Sequence, residues 1–410
     1  MGVYLRTLCV ACMLAASSRA AAGTAGRMSF EDALRRVIEH NYGLRASGLA
    51  AESAGEAARQ ARAIPNPRAE ARLEDLGRDE LEISLVQTFE LGGKRAARSA
   101  LAGSDARAAA MSRDAVKIEL AAETMRRFAA LAAAARRVGL VDEAIDIAAT
   151  TVAEIERRVA AGASRETDLL RARIALEELR AERGLLVRGV ERSTLALTAL
   201  WGAPSAAPLE VSRGFAGRVA LPPADSLRSL ALSHPEAERH GAMKDRAAAE
   251  LAGARAGRFP DIDVGAGIIR YGESGDAALA LGASVPLPLF NRNAAAVRER
   301  ERLAEAAGNE VREALARREA DVLAACAAFD GAGDALASLD AEILPRAETA
   351  FELIKTFYAQ GSAGFLELNE SRSDLVRLGL RRIDLLEERA SAAAGIMALT
   401  GYRPDVFAAE

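Results

Sequence analysis

The chain has 410 residues, half of them hydrophobic and only 4% aromatic, with a net charge of −4. Charges of both signs are interspersed along Ala- and Leu-rich segments, which excludes the clustered Lys and Arg of a nucleic-acid surface. The same mixture at helical periodicity points to long helices packed in coiled-coil fashion.

Met1–Ala22 reads as a secretory signal, with Arg6 in the n-region, an apolar stretch at Leu8–Ala16 and small residues ending it. Cys9 and Cys12 lie inside this signal without a convincing lipobox. The mature chain keeps Cys326, a single thiol read as a small core residue. No downstream stretch is read as a transmembrane helix.

Ser29 followed by Asp32 predicts an N-cap, and Phe30, Ala33, Leu34, Val37 and Ile38 the buried stripe of a short helix. A break at Asn41-Tyr42-Gly43 precedes a second helix to about Ala63, which Pro65 and Pro67 end. The period then changes to two. Ala69, Ala71 and Leu73 alternate with Arg68, Glu70, Arg72 and Glu74, and Leu81, Ile83, Leu85 and Phe89 alternate with polar residues. A turn at Gly77-Arg78-Asp79 joins these strands. Such a two-faced hairpin fits either a soluble sandwich or an outer-membrane barrel, and four strands close a barrel only by oligomerisation.

From Gly92 to about Ala161 apolar residues recur at helical spacing with no proline, giving a helix on the order of 105 Å long. Gly162-Ala163-Ser164 breaks it, and Thr167 and Asp168 lead a return helix at about Glu166–Leu200. The pattern then repeats. Asn41 and Pro67 match His234 and Pro260 at a spacing of 193 residues, and Gly162 and Trp201-Gly202 match Gly361 and Thr400-Gly401 at 199. The segment Phe89–Arg95 is matched to Leu287–Asn293, at 198. The second copy carries strands at Ile262–Ile268 and Leu279–Leu289, a long helix from Asn293 to about Gln360 with a kink at Pro345, and a return helix at Phe365–Leu399. Each return helix is expected to stack end to end with a shorter helix nearer the strands, at Arg45–Ala63 and Glu236–Arg258. The expected division is a first repeat over 28–204, a proline-rich loop over 205–224 and a second repeat over 225–404.

His40, His234, His240 and Cys326 have no ligand spacing, so neither a metal site nor a cofactor is expected. His40 and His234 are read as helix-terminal contacts. Gly92-Gly93-Lys94-Arg95 lacks the remainder of a phosphate loop and reads as a strand-to-helix turn with cations at lipid headgroup level. No catalytic triad is present, and the chain does not read as an enzyme. Glu367 and Glu370 lie one turn apart and point the same way. They fit either a cation-attracting ring in an oligomer or acids complementing a helix dipole.

These features strongly resemble the TolC-like outer-membrane efflux channels over residues 28–404. The carrying residues are the paired tips (Gly162 to Asp168; Tyr358 and Gly361 to Glu367 and Glu370), the Pro65-Asn66-Pro67 motif and Phe89–Arg95. The last segment looks like the heavy-metal cation branch. The resemblance implies a mainly α homotrimer in which each protomer gives four strands to a twelve-stranded outer-membrane barrel and helical rods to a periplasmic tube. It implies a periplasmic adaptor and an inner-membrane pump of the resistance-nodulation-division type as partners. By resemblance, Glu367 and Glu370 form the acidic constriction, with Thr167 and Asp168 as weaker counterparts in capping and gate packing. Gly162, Ser164, Tyr358 and Gly361 belong to the tip turns and adaptor surface. Where the family can carry an arginine latch, this chain has Ala363 and Phe365. A duct for drugs or for type I secretion is the rival in the same class, and a soluble periplasmic adaptor or a fibrous protein the rivals outside it.

Overall fold

The computed structural model describes residues 27–74, 80–212, 214–215, 220–272 and 274–407. The expected signal with Cys9 and Cys12, and the turn at Gly77–Asp79, lie outside these residues.

Helix α1 (Phe30–His40) starts where Ser29 Oγ accepts the Asp32 N–H (3.2 Å). The hydroxyl in turn donates to the Asp32 carboxylate, and this bond holds that carboxyl below its ordinary value. Asn41 then does three things. Its N–H closes α1 on Val37 O, its Oδ1 accepts from Leu44 N at the start of α2 (Tyr42–Gln60), and its Nδ2 donates to Leu200 O at 2.7 Å. The last bond lands on the C-terminus of the return helix α4 (Glu166–Ala199), so α2 and α4 are spliced end to end. The long helix α3 (Lys94–Ala160) has 67 residues and spans about 100 Å.

The second copy follows the same plan with α5 (Ala224–Leu232), α6 (Pro235–Ala256), α7 (Ala294–Ser338), α8 (Leu344–Ala359) and α9 (Phe365–Thr400). Here the splice is made differently. His234 caps α6 through Nδ1 (Glu236 N–H, 3.1 Å), while Arg318 donates to Ala231 O (3.0 Å) and to Leu399 O (2.6 Å). Between α7 and α8 lies one π turn, Leu339–Ile343, in which Leu344 N–H reaches back to Leu339 O. Pro345 follows at once, and its missing N–H is the reason the α-helical ladder cannot run through.

Four strands form one antiparallel sheet in the order β1-β2-β3-β4: β1 (Arg68–Glu74), β2 (Glu80–Phe89), β3 (Ile262–Arg270) and β4 (Ala277–Ser284). The register places Leu81, Ile83, Leu85, Val264, Ile268, Leu279 and Leu281 on one face, all exposed. Arg68, Glu70, Arg72, Glu82, Ser84, Asp263, Gly265, Gly267 and Gly282 share the other face. β4 is shorter than its alternation suggests. It ends at Ser284, opposite Asp263, and Val285–Leu289 lie outside any strand: Pro286 and Pro288 have no N–H, and β3 begins only one residue before Asp263.

The counterpart of Gly93 is Asn293, 200 residues later, because each is a left-handed residue (φ 84° and 56°) directly ahead of a long helix. The spacing of 198 read from the sequence is therefore two short. The cations at this junction also serve it internally. Lys94 pairs with Asp261 (2.7 Å), Arg95 donates to Arg62 O (2.8 Å), and Arg98 holds Glu90.

Around the middle of α3 a run of small residues, Ala121, Ala122, Ala129 and Ala132, is buried and lets several helices approach it. The main core forms here from Phe30, Met125, Phe128, Leu197, Leu227, Phe329 and Ile396. Met28 pairs with Val211 of the inter-repeat loop, which ties that loop to the core. By length and composition one 18-residue window within Ala294–Ala359 passes for a spanning helix, contrary to the sequence expectation. Val322, Phe329, Ala332 and Leu336 of that helix are nevertheless buried in the bundle.

Candidate functional site

The ends of α3 and α8 close with the same turn. Gly162 (φ 70°) donates to Val159 O, and Ala163 N–H reaches Arg158 O at 2.7 Å. Gly361 (φ 76°) donates to Tyr358 O, and Ser362 N–H reaches Phe357 O at 2.9 Å. This is a Schellman arrangement, and its left-handed residue explains the glycine at each tip.

Under these turns the two hairpins share one apolar cluster. Val152 and Ile155 of α3, Ala172 and Leu176 of α4, Phe351 and Tyr358 of α8, and Phe365 and Leu368 of α9 are all buried together. Phe365, in the segment where the resemblance allows an arginine latch, is buried in this cluster and holds the tip by packing. Tyr358, expected on a docking surface, is instead interior, whereas Gly162 and Gly361 are exposed and Ser164 half-buried. Burial pushes the Tyr358 hydroxyl above its ordinary pKa, and Arg158 opposes that shift.

Arg158 has no counterpart among the residues the sequence singled out. It stacks on the Tyr358 ring (5.0 Å to its centre), donates to Tyr358 O (3.2 Å) and Ala359 O (2.9 Å), and pairs with Glu154 (3.3 Å). It therefore satisfies the terminal carbonyls of α8 from the end of α3. In sequence it reads as one more base in the last turn of its own helix.

Glu367 and Glu370 occupy the exposed side of α9, opposite the side that buries Phe365, Leu368 and Arg372. Neither carboxylate has an ion-pair partner among the described residues. Asp374, one turn on, shares their side and pairs with Arg377 (2.8 Å). Thr167 is exposed and Asp168 half-buried near Tyr358. Neither caps α4: its N-cap position is Arg165, without a side-chain capping bond. The structure thus brings Asp168 to Tyr358 and groups Glu367 with Glu370, but leaves Thr167 apart.

Beside the cluster a groove of about 420 Å³ runs between α3, α8 and α9. Arg372 lies in its floor, bonded to Asn369 Oδ1 (2.6 Å), and burial draws its guanidinium below the ordinary value. The polar face of the sheet is the second charged surface. Arg68 pairs with Asp263 (3.1 Å) and with Glu70 (3.7 Å), and Arg72 with Glu82 (3.6 Å), so these two arginines are shared among three acids. Among the described residues, no three His, Cys, Asp or Glu side chains gather to hold a metal.

Three comparisons bear on this geometry. The chain is similar to the cobalt-zinc-cadmium resistance protein CzcC of Cupriavidus metallidurans, at 27% identity over 92% of this chain and 91% of that protein. Its fold matches crystal structures of CusC (TM-score 0.81, 18% identity, 91% of this chain and 92% of that one). It also matches the outer membrane protein VceC of Vibrio cholerae (TM-score 0.79, 19% identity, 91% and 96%). The family model described as outer membrane efflux protein matches twice, over residues 33–203 and 231–402, most of the chain. The chain belongs to the outer membrane efflux protein family.

Proposed function

We propose that this chain is the outer-membrane duct of a tripartite efflux system exporting heavy-metal cations. It works as a homotrimer, with a periplasmic adaptor at its helical tips and an inner-membrane pump of the resistance-nodulation-division type beneath. The observation that carries this reading is the two-faced sheet joined to rods of about 100 Å. Its apolar face is exposed along all four strands, as a lipid-facing wall requires, and its polar face suits a water-filled lumen. Four strands leave two open edges, and three copies close them into twelve. The chain is read as two repeats, 28–204 and 225–404, joined by the loop at 205–224, a division supported by family matches over 33–203 and 231–402.

The cation assignment rests on similarity to CzcC and on the free carboxylates of Glu367 and Glu370. Three copies of each set two rings of negative charge around a common axis and raise local cation concentration. Selection among ions is left to the pump, in keeping with the dispersed histidines. Planar-bilayer recordings under a salt gradient test both parts. Cation-preferring pores are expected, with the preference reduced in the variant carrying Glu367→Ala and Glu370→Ala. Pores of unchanged selectivity remove these residues from the constriction, and absence of pores removes the duct.

A further inference from the structure

The segment Val285–Leu289 is apolar and alternating yet belongs to no strand, and Leu287 and Leu289 are 71% and 66% exposed. Leu289 N–H turns back onto Leu287 O (2.9 Å), a local bond that an extended neighbour would replace. The internal duplication shows what that neighbour is.

The first strands of the two repeats are related by 193 residues, because Ala61-Arg62-Ala63 to Pro67 aligns without a gap on Ala254-Arg255-Ala256 to Pro260. The second strands are related by 200, from the left-handed residues Gly93 and Asn293. These spacings can be checked inside the chain. Moving the pair Arg68↔Val86 by them gives Asp261↔Pro286, which lies on the same pairing line as the observed Asp263↔Ser284. The β1–β2 and β3–β4 hairpins are thus the same object in the same register.

One more junction exists within the chain, between β2 and β3, where Phe89 pairs with Ile262, Gln87 with Val264 and Leu85 with Ala266. Its repeat-equivalent is β4 against β1, and within one chain these two lie on opposite edges of the sheet. We infer that β4 of one copy pairs antiparallel with β1 of a second copy, with Leu289 opposite Ala69, Leu287 opposite Ala71 and Val285 opposite Leu73, and that this pairing turns Val285–Leu289 into strand. The inference rests on the trimeric duct reading and adds the register of its seam.

Two features of the chain agree with this register. It sets apolar residues against apolar ones on the exposed face, Val285 with Leu73 and Leu287 with Ala71, whereas a one-residue slip would set them against Arg72 and Glu70. Pro286 and Pro288 are two apart, so both lack donors along a single edge. That leaves Val285, Leu287 and Leu289 to donate along the other, toward the arriving β1.

Disulfide trapping tests the seam, in the exported chain freed of the expected signal with Cys9 and Cys12 and carrying Cys326→Ala as background. Directly opposed residues lie within disulfide reach. Under mild oxidation Leu73→Cys with Val285→Cys, and Ala71→Cys with Leu287→Cys, are expected to give covalent trimers on non-reducing gels. The mismatched pairs Ala71→Cys with Val285→Cys and Leu73→Cys with Leu287→Cys are expected to give at least tenfold less. Light scattering in detergent establishes the trimer independently. Trimers that cross-link best in a mismatched pair, or in none of the four, overturn the register and keep the duct. Monomers throughout overturn the trimeric reading itself.

Discussion

Arg158 binds carbonyls 200 residues further along the chain, and removing its guanidinium is the most direct way to loosen the tip. Arg158→Met keeps the length and apolar stem but deletes two charge-assisted bonds and a cation–π contact, about 1–3 kcal/mol together. Amide exchange over 355–363 is expected to accelerate at least fivefold, with exchange in the middle of α3 unchanged. His234 makes a separate prediction. Burial, followed by the Arg318 charge, lowers its pKa from 6.5 to about 4, so the folded state resists the proton that the unfolded chain accepts. Its contribution is complete above pH 6.5 and is lost as pH falls toward 4, about 3 kcal/mol in all. Asn41 occupies the equivalent cap in the first repeat, so His234→Asn should retain the cap while flattening that part of the acid slope. Thermal melts from pH 7 to 4 measure the difference from wild type. The cap at Ser29 and the break at Asn41 were legible in the sequence because the N–H groups they accept from, on Asp32 and Leu44, lie within a turn, whereas the bond from Asn41 to Leu200 O was not. Arg158 and Arg318 were not, because a long basic side chain carries no mark of a distant carbonyl.

At the scale of elements, periodicity located the helices and strands to within a few residues, and even the interruption before Pro345 followed from its missing donor. It failed at β4. Alternation continues to Leu289, but a strand needs a partner as well as a pattern, and the single chain supplies none beyond Asp263. The glycines on the polar face of the sheet show a constraint that no pattern announces. A Cβ on Gly267 would lie 2.6 Å from Ile83 O and 2.9 Å from Ser84 Cα, whereas one on Gly282 meets nothing within 4 Å. Gly267→Ala is therefore expected to force β2 and β3 apart at a cost of roughly 1–3 kcal/mol. Gly282→Ala on the same face should be close to neutral. Midpoint temperatures of the two variants check the contrast, and equal values would contradict it.

For the whole molecule, duplication was the strongest signal, visible as matched glycines and prolines at nearly constant spacing. The splices that convert four half-length helices into two rods were legible as an arrangement but not in their chemistry. One uses an amide, Asn41, and the other a guanidinium, Arg318, although the two halves share one order of elements. The neighbours of α3 were also hidden, since a helix buried on several sides by alanine has no single apolar stripe to read.

The apolar packing beneath the tips has a consequence for how the contact between the two hairpins responds to its surroundings. A contact made of ion pairs weakens as salt shortens the Debye length from about 10 Å at 0.1 M to about 3 Å at 1 M. Contacts among Phe351, Tyr358, Phe365 and Leu368 are indifferent to that screening. They respond to heat capacity, weakening on cooling as the hydrophobic contribution fades. Hairpins held together in this way keep their packing through changes in ionic strength, and a surface that offers those side chains an equally dry contact competes with it directly.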